Sequence, residues 1–327
     1  MTVVVTGASG HIGGNLVRGL LHQGREVRAV VHRDTRAIEG LDVERVSASV
    51  QDVDGLQRAF EGADAVYHLA ARVVISAADT KDVHEVNVDG VRNVVEACVR
   101  AGVRRLVHFS SVHALADHPL DEPMDERRPL ADTGPCRLYN RTKALGQREV
   151  LAGVERGLDA VIINCGAVLG RNDFKPSHQG EMLLGLYHRR IPALVPGGFC
   201  WVDVRDVVAG ALAAEEKGET GESYLLAGEW ISMVGLSELV GEVTGARTPR
   251  MVLPLFLAKI GAPFVTGYAR LRKRRPLFTS ESLSVINGNT RMSHEKAARD
   301  LGFDPRPLRE TIEDTFAWFD QAGDLSS

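Results

Sequence analysis

Apolar and polar positions along the first two-thirds of the chain follow two rhythms. Short apolar, mostly β-branched runs at Thr2–Val5, Glu26–Val31, Ala65–Leu69, Leu106–Phe109 and Val161–Asn164 have the length and composition of buried strands. Between them, apolar residues recur every three or four positions, as on amphipathic helices. These stretches are Ile12–Gln23, Tyr139–Gly153 and, most clearly, Val83–Ala101, with Val88, Val91, Val94, Val95 and Cys98 on one face. Strands alternating with helices predict an α/β fold, a doubly wound parallel sheet covered on both faces. From about Arg171 the rhythm breaks at Pro176, Pro192, Pro196 and Gly197–Gly198. The spacing therefore predicts a first domain over residues 1–170 and a smaller C-terminal lobe over 171–327. A segment near 200–228 is expected to return to the first domain.

The first strand runs directly into Thr6-Gly7-Ala8-Ser9-Gly10-His11-Ile12-Gly13, and the first helix opens there. Gly7 permits a tight turn, Gly10 lets backbone approach a pyrophosphate, and Gly13 lets helix and strand pack closely. The helix N-terminus adds N–H groups and a positive dipole end. A glycine triplet in this strand–turn–helix setting identifies a Rossmann-type dinucleotide site. An acid about twenty residues past the glycines would hold an NAD ribose diol. Here the second strand ends Val30-Val31-His32-Arg33, and an arginine fork suits a 2′-phosphate. NADP is the expected cofactor; Asp34 keeps NAD open if the register slips by one.

Tyr139 and Lys143 stand four residues apart in Y-x-x-x-K and share one helix face. A free phenol has a pKa near ~10, too high for efficient proton exchange at neutral pH. A neighbouring ammonium is expected to lower it, which suits a general acid or base in carbonyl chemistry. The strand Leu106–Phe109 ends in Ser110-Ser111, at the edge where open α/β sheets bind ligands, so a hydroxyl there can hold a substrate oxygen. Glycine loop, strand-end serines and Y-x-x-x-K, in that order, point to Ser111, Tyr139 and Lys143 as a catalytic set.

With these motifs the chain resembles the extended short-chain dehydrogenase/reductases, the NAD-dependent epimerase/dehydratase family, and within it the dihydroflavonol reductase-like and 3β-hydroxysteroid dehydrogenase-like branches. Tyr67-His68-Leu69-Ala70-Ala71 is similar to a cofactor-lining segment of the family, and Asn87-Val88-Asp89-Gly90-Val91-Arg92-Asn93-Val94 to its N-V-x-G-T-x-N helix. Val202-Asp203-Val204-Arg205-Asp206-Val207 resembles a late signature that begins a structural helix. The resemblance implies cofactor contacts at Gly7, Ser9, Gly10, His11, Ile12, Gly13, His32, Arg33, Ser49, Val50, Leu69, Ala70, Ala71, Ser110, Tyr139, Lys143, Cys165 and Val168. It also implies a homodimer packed through the helices around Val83–Ala101 and Tyr139–Gly153. Ser49 stands where the family often has an acid near the adenine, and Cys165 where it often has a proline by the nicotinamide. Ala116 follows Leu115 where many sugar-nucleotide members have tyrosine and glycine.

The expected activity is hydride transfer between a nicotinamide and a ketone or secondary alcohol of a small, hydrophobic substrate. Ser111, His113, Tyr139, Leu183 and Trp201 are the expected substrate contacts. A sugar-nucleotide epimerase or dehydratase would use the same three residues, and a non-catalytic cofactor-binding regulator is a third reading.

Composition changes this picture little. The 327 residues are 44% hydrophobic and 25% charged, with a net charge of -4, which gives no push towards nucleic acid. Four cysteines without a C-x-x-C pair read as reduced thiols in the cytoplasm. No secretory leader or membrane-spanning run is read from the chain. His11, His68, His84, His108 and His113 follow no metal-ligand spacing, so no metal is expected. The basic run Arg270–Arg275 follows the apolar stretch Val252–Val265. Pro254, Lys259 and Pro263 interrupt that stretch, so a solvated face or pocket lining is expected there in preference to membrane association.

Overall fold

Strand β1 (Thr2–Thr6) is the axis of the molecule: it pairs in parallel with β2 (Glu26–Val31) on one side and β4 (Ala65–His68) on the other. The computed structural model describes residues 1–32, 34–73, 80–134, 136–258, 260, 286 and 288–326. Arg33, the basic run 270–275 and the end of the 252–265 stretch lie outside them. The sheet is completed by β3 (Glu44–Ser47), β5 (Arg105–Ser111), β6 (Ala160–Cys165) and β9 (Ser223–Leu226), in the order β3-β2-β1-β4-β5-β6-β9. The order reverses between β1 and β4, which places the ligand-binding crevice of a doubly wound sheet at their C-terminal ends. Strands β4, β5 and β6 are buried throughout, as parallel strands covered on both faces must be.

Alternation along the strands divides the core in two. Val3, Val5, Tyr67, Val107 and Phe109 pack against α1 (His11–His22) and α7 (Val204–Lys217). Val4, Val66, Leu106 and Ile162 pack against α2 (Val53–Phe60), α4 (Gly90–Ala101) and α5 (Leu138–Glu155). The helical pattern from Val83 resolves into three pieces: α3 (Thr80–His84), one π turn (Glu85–Asp89) and α4. Such π turns inside helices gather at functional sites. Here the turn presents Asn87 inward.

Strand β7 (Ala167–Leu169) leaves β6 after a single residue, Gly166, and starts a second sheet. Its neighbour is β8 (Gly198–Asp203), which in turn pairs antiparallel with β10 (Glu229–Ser232). Together with α6 (His178–Tyr187), α8 (Met233–Thr244) and α10 (Leu308–Gln321) these strands enclose a separate apolar core around Leu183, Leu186, Trp201, Leu236 and Phe319. The chain returns to the main sheet through α7 and β9, and α9 (Glu295–Leu301) packs beside both. Asp203, fully buried, explains the start of α7: its Oδ1 accepts from the backbone N–H of Arg205 at 2.8 Å, an N-cap in the Val202–Val207 signature. Three residues on, Asp206 holds Arg306 bidentately, tying α7 to the approach of α10.

Candidate active site

The turn after β1 is built so tightly that only glycine fits at two positions. Gly7 has φ +71°, and a Cβ there would sit 2.7 Å from the backbone N of Ala70. A Cβ on Gly13 would come within 2.1 Å of the Gly7 carbonyl oxygen, so α1 lies against the loop at a distance no side chain tolerates. The N-cap of α1, Gly10, has no side chain to satisfy the first N–H groups of the helix. Those donors and the dipole face the crevice, and this fits a dinucleotide pyrophosphate. The far wall is the end of β4: Leu69 donates its N–H to Thr6 O at 3.1 Å, and Ala70 to Thr6 Oγ1 at 3.4 Å.

Across the crevice, β5 and α5 converge. Ser111 closes β5 with its hydroxyl oxygen accepting from the His113 N–H at 3.3 Å. Tyr139 stands in the first turn of α5; Ser111 beside it lowers the phenol, but the enclosed setting prevails and pushes it up to about 12. His113 meets Tyr139 edge to face, with ring centroids 6.1 Å apart. Its own pKa is pushed down to about 4 by desolvation and then by Arg137, so the ring is neutral at physiological pH. Lys143, one turn further along α5 and 5% exposed, donates to the Phe109 carbonyl at 3.0 Å. Burial lowers Lys143 to about 8. Cys165, the register partner of Ser111 on β6, borders both Tyr139 and Lys143. Tyr139 thus departs from the expectation that the neighbouring ammonium lowers it. In the chain alone desolvation dominates, and Ser111 is the group that opposes it.

The chain as a whole is similar to known proteins. The model of the NAD-dependent epimerase/dehydratase family matches residues 3–227. The chain belongs to that family. It is an extended short-chain dehydrogenase/reductase, an enzyme class that uses nicotinamide dinucleotides on small molecules. It is 38% identical to sterol demethylase protein B of Methylococcus capsulatus over 99% of both chains. It is 28% identical to a 3 beta-hydroxysteroid dehydrogenase/Delta 5-->4-isomerase of Mycobacterium tuberculosis, over 93% of this chain and 86% of that one. The crystal structure of gox2253 superposes with a TM-score of 0.86 at 32% identity, covering 99% of each chain.

In this dehydrogenase/reductase the remaining expected cofactor residues occupy varied settings. Ser9, Ile12 and Ala71 lie on or beside the crevice walls. His11 turns its ring to the Arg171 carbonyl at 3.1 Å and so ties α1 to the loop entering the lobe. His32 is exposed at the end of β2. Close by, Asp34 is gripped by Arg36 through Nε at 3.0 Å and Nη2 at 2.7 Å, which lowers its carboxyl to about 2. The Ser49 hydroxyl accepts from the Gln51 N–H, and Val50 packs against Gly90 at the start of α4. The Ser110 hydroxyl is buried and accepts from Gln147 Nε2 at 2.7 Å. Val168, the middle residue of β7, is buried in the main core. Leu183 and Trp201 are 0% and 2% exposed and sit within the apolar core of the lobe, with Trp201 against Phe199.

Asn87 and Gln147 carry roles that spacing alone does not assign. Asn87 clamps the backbone of Arg72, accepting from its N–H at 2.8 Å and donating to its carbonyl at 2.9 Å, and also reaches Thr142 on α5. The segment after Ala70-Ala71 is thereby locked to the catalytic helix. Gly146 lets α5 cross this turn, since a Cβ there would lie 2.6 Å from the Asn87 carbonyl oxygen. Gln147 bridges Ser110 and Asn164 at 2.7 Å each. Its signal was legible in principle: Tyr139, Lys143 and Gln147 repeat at four residues along one face of α5.

Proposed function

We propose that this enzyme is an NAD(P)(H)-dependent oxidoreductase that interconverts a ketone and a secondary alcohol on a small hydrophobic substrate, with Tyr139 as proton donor and acceptor. The observation that carries this reading is the convergence of Tyr139 and Lys143 on α5 with Ser111 at the end of β5, in a sheet whose first turn is a glycine cradle. A nicotinamide held in that cradle supplies or takes up the hydride. Ser111 orients the substrate oxygen, and Tyr139 delivers a proton to it as negative charge builds there. A phenol held near 12 keeps its proton at neutral pH, as a proton donor to the substrate oxygen must. Lys143 supplies a fixed positive charge beneath the site and a donor for a ribose hydroxyl. His113, neutral and edge-on to Tyr139, narrows the entrance and contacts substrate, while Leu183 and Trp201 set the shape of the lobe behind it.

NADP is the favoured cofactor in this reading. Both Asp34 oxygens are engaged by Arg36, so the carboxylate is already partnered before a ribose diol could reach it. The names of relatives that act on sterols and 3β-hydroxysteroids support an apolar, polycyclic substrate class. Buried or half-buried free thiols suit a reducing, cytoplasmic setting, and among the described residues no helix is long and apolar enough to cross a membrane. We further propose a homodimer through α4 and α5, which light scattering at micromolar concentration would show as a doubled mass and refute as a monomer.

The deciding experiment is NADPH oxidation against ketosteroid, flavonoid and aryl-ketone panels, followed by Tyr139→Phe on the substrate found. The variant should lose about 10²–10⁴-fold in kcat with cofactor affinity intact. Undiminished turnover would end the reading. NAD that stays bound through purification, with no net oxidation of NADPH, would favour an epimerase.

A further inference from the structure

Beneath Lys143, on the α5 side of the main sheet, the apolar packing is interrupted by two imidazoles. His68 ends β4 and His108 is its register partner on β5; their rings lie 5.3 Å apart and tilted by 31°. They are 1% and 2% exposed. Among the described residues, only one of their four ring nitrogens has a partner: His68 Nδ1, at 2.7 Å from Thr6 Oγ1. A hydroxyl oxygen accepts twice, so Thr6 Oγ1 has room for the Ala70 N–H and for a proton on His68 Nδ1, and in that tautomer His68 Nε2 is a free acceptor. That Nε2 and both nitrogens of His108 are left bare in the interior. Buried polar atoms in such numbers are satisfied by internal water when polar groups converge.

The group that converges on them is Lys143. Its charge acts on both rings, and desolvation together with that charge drives His68 down to about 3 and His108 well below its usual range. The rings are therefore neutral and can accept hydrogen bonds from an ammonium without cancelling its charge. Lys143 uses one donor on Phe109 O and has two to spare. The titratable groups facing this pocket are His68 from β4, His108 from β5, Cys165 from β6, and Tyr139 and Lys143 from α5 itself. Among the described residues no carboxylate acts on any of them, and no third ligand makes the histidine pair a metal site.

We propose that His68 and His108 are positioning residues for Lys143: through internal water on their bare ring nitrogens they form a neutral polar seat that holds the ammonium charged and aimed at the cofactor ribose and Tyr139. A carboxylate in this place would hold the lysine equally well but neutralise the field it exerts. An apolar pair would leave the ammonium with one acceptor and favour its loss of a proton. The proposal rests on the reductase reading for the role of Lys143, but it can be tested apart from it.

The test is the pH dependence of NADP⁺ binding by the full chain, followed by calorimetry between pH 6 and 10, with ketone reduction followed in parallel. In the unaltered enzyme, affinity falls as Lys143 loses its proton. His108→Leu and His68→Leu should move that fall at least one pH unit lower and cut kcat about tenfold at pH 8 with KM for the ketone unchanged. His108→Asn, which restores an acceptor, should recover most of both. Thermal melts confirm that each variant is folded; should a leucine variant not fold, His108→Phe and the asparagine variant carry the comparison. A binding limb at the same pH in all folded variants would overturn the proposal. An unaltered enzyme that binds NADP⁺ with this limb, yet reduces no ketone, would instead remove the reductase reading and leave the seat standing.

Discussion

The two walls of the crevice are made in opposite ways. The cradle at β1 and α1 is almost all backbone: glycines at 7 and 13, an N-cap without a side chain, and unsatisfied N–H groups. The corner at β5 and α5 is almost all side chain: Ser111, His113, Tyr139, Lys143 and, behind them, Gln147, His68 and His108. A backbone site is specified by what is missing and tolerates no addition. A side-chain site is specified by what is present, and it holds polar groups away from water at the expense of stability. Binding should therefore fail on one side and chemistry on the other.

The sharpest break is Gly13→Val. With a Cβ 2.1 Å from Gly7 O, either α1 or the loop must move, and NADP⁺ affinity should drop by more than a hundredfold in a calorimetric titration. Retained affinity would mean that the pyrophosphate does not sit there. Lys143→Met should separate stability from activity. The buried ammonium is lowered from 10.5 to about 8; at ~1.4 kcal/mol per pH unit this penalises the folded chain by up to about 3 kcal/mol. The penalty is complete below pH 8, where both states hold the proton, and is relieved between pH 8 and 10.5, where only the unfolded state does. The variant should be inactive yet more stable than its parent at pH 7 in urea, with the gap closing towards pH 10.

Asn87→Ala tests whether the corner needs its support. It removes three hydrogen bonds at a residue 2% exposed and leaves the Arg72 backbone groups without their partner. A loss of about 2 kcal/mol is expected by chemical denaturation, with kcat reduced more than cofactor affinity. The last effect is silent at neutral pH and emerges only in acid. His68 and His108 have folded pKa values below their unfolded ones, so the unfolded state binds more protons as pH falls from 6.5 towards 3. Stability should decline through that window, and less steeply in His108→Leu; parallel slopes for the two proteins would show that the rings are not desolvated as described.

How much of this was legible beforehand depended on the range of the interactions involved. The strand Glu26–Val31 has the limits its largely apolar run predicts, and β1, β4, β5 and β6 fall within a few residues of theirs, because central parallel strands covered on both faces are rich in apolar residues. Strand β3 escaped notice, since Glu44–Ser47 is a short, polar edge strand with no pattern to read. The second sheet escaped too. Its strands β7, β8 and β10 come from three distant stretches, and only their pairing makes them an element.

Local chemistry told the same story at the site. The glycine loop and the Y-x-x-x-K spacing could be read because each acts within one or two helical turns, where covalent geometry decides which atoms meet. The protonation of the residues so found could not be read, because it depends on how much water the rest of the fold removes. Tyr139 carries its proton more firmly than an isolated phenol, Ser110 is buried, Leu183 and Trp201 lie inside the lobe, and two histidines from separate strands come to rest under one lysine. Solvent exclusion is a sum over neighbours brought together from the whole chain, and no short window of residues contains it.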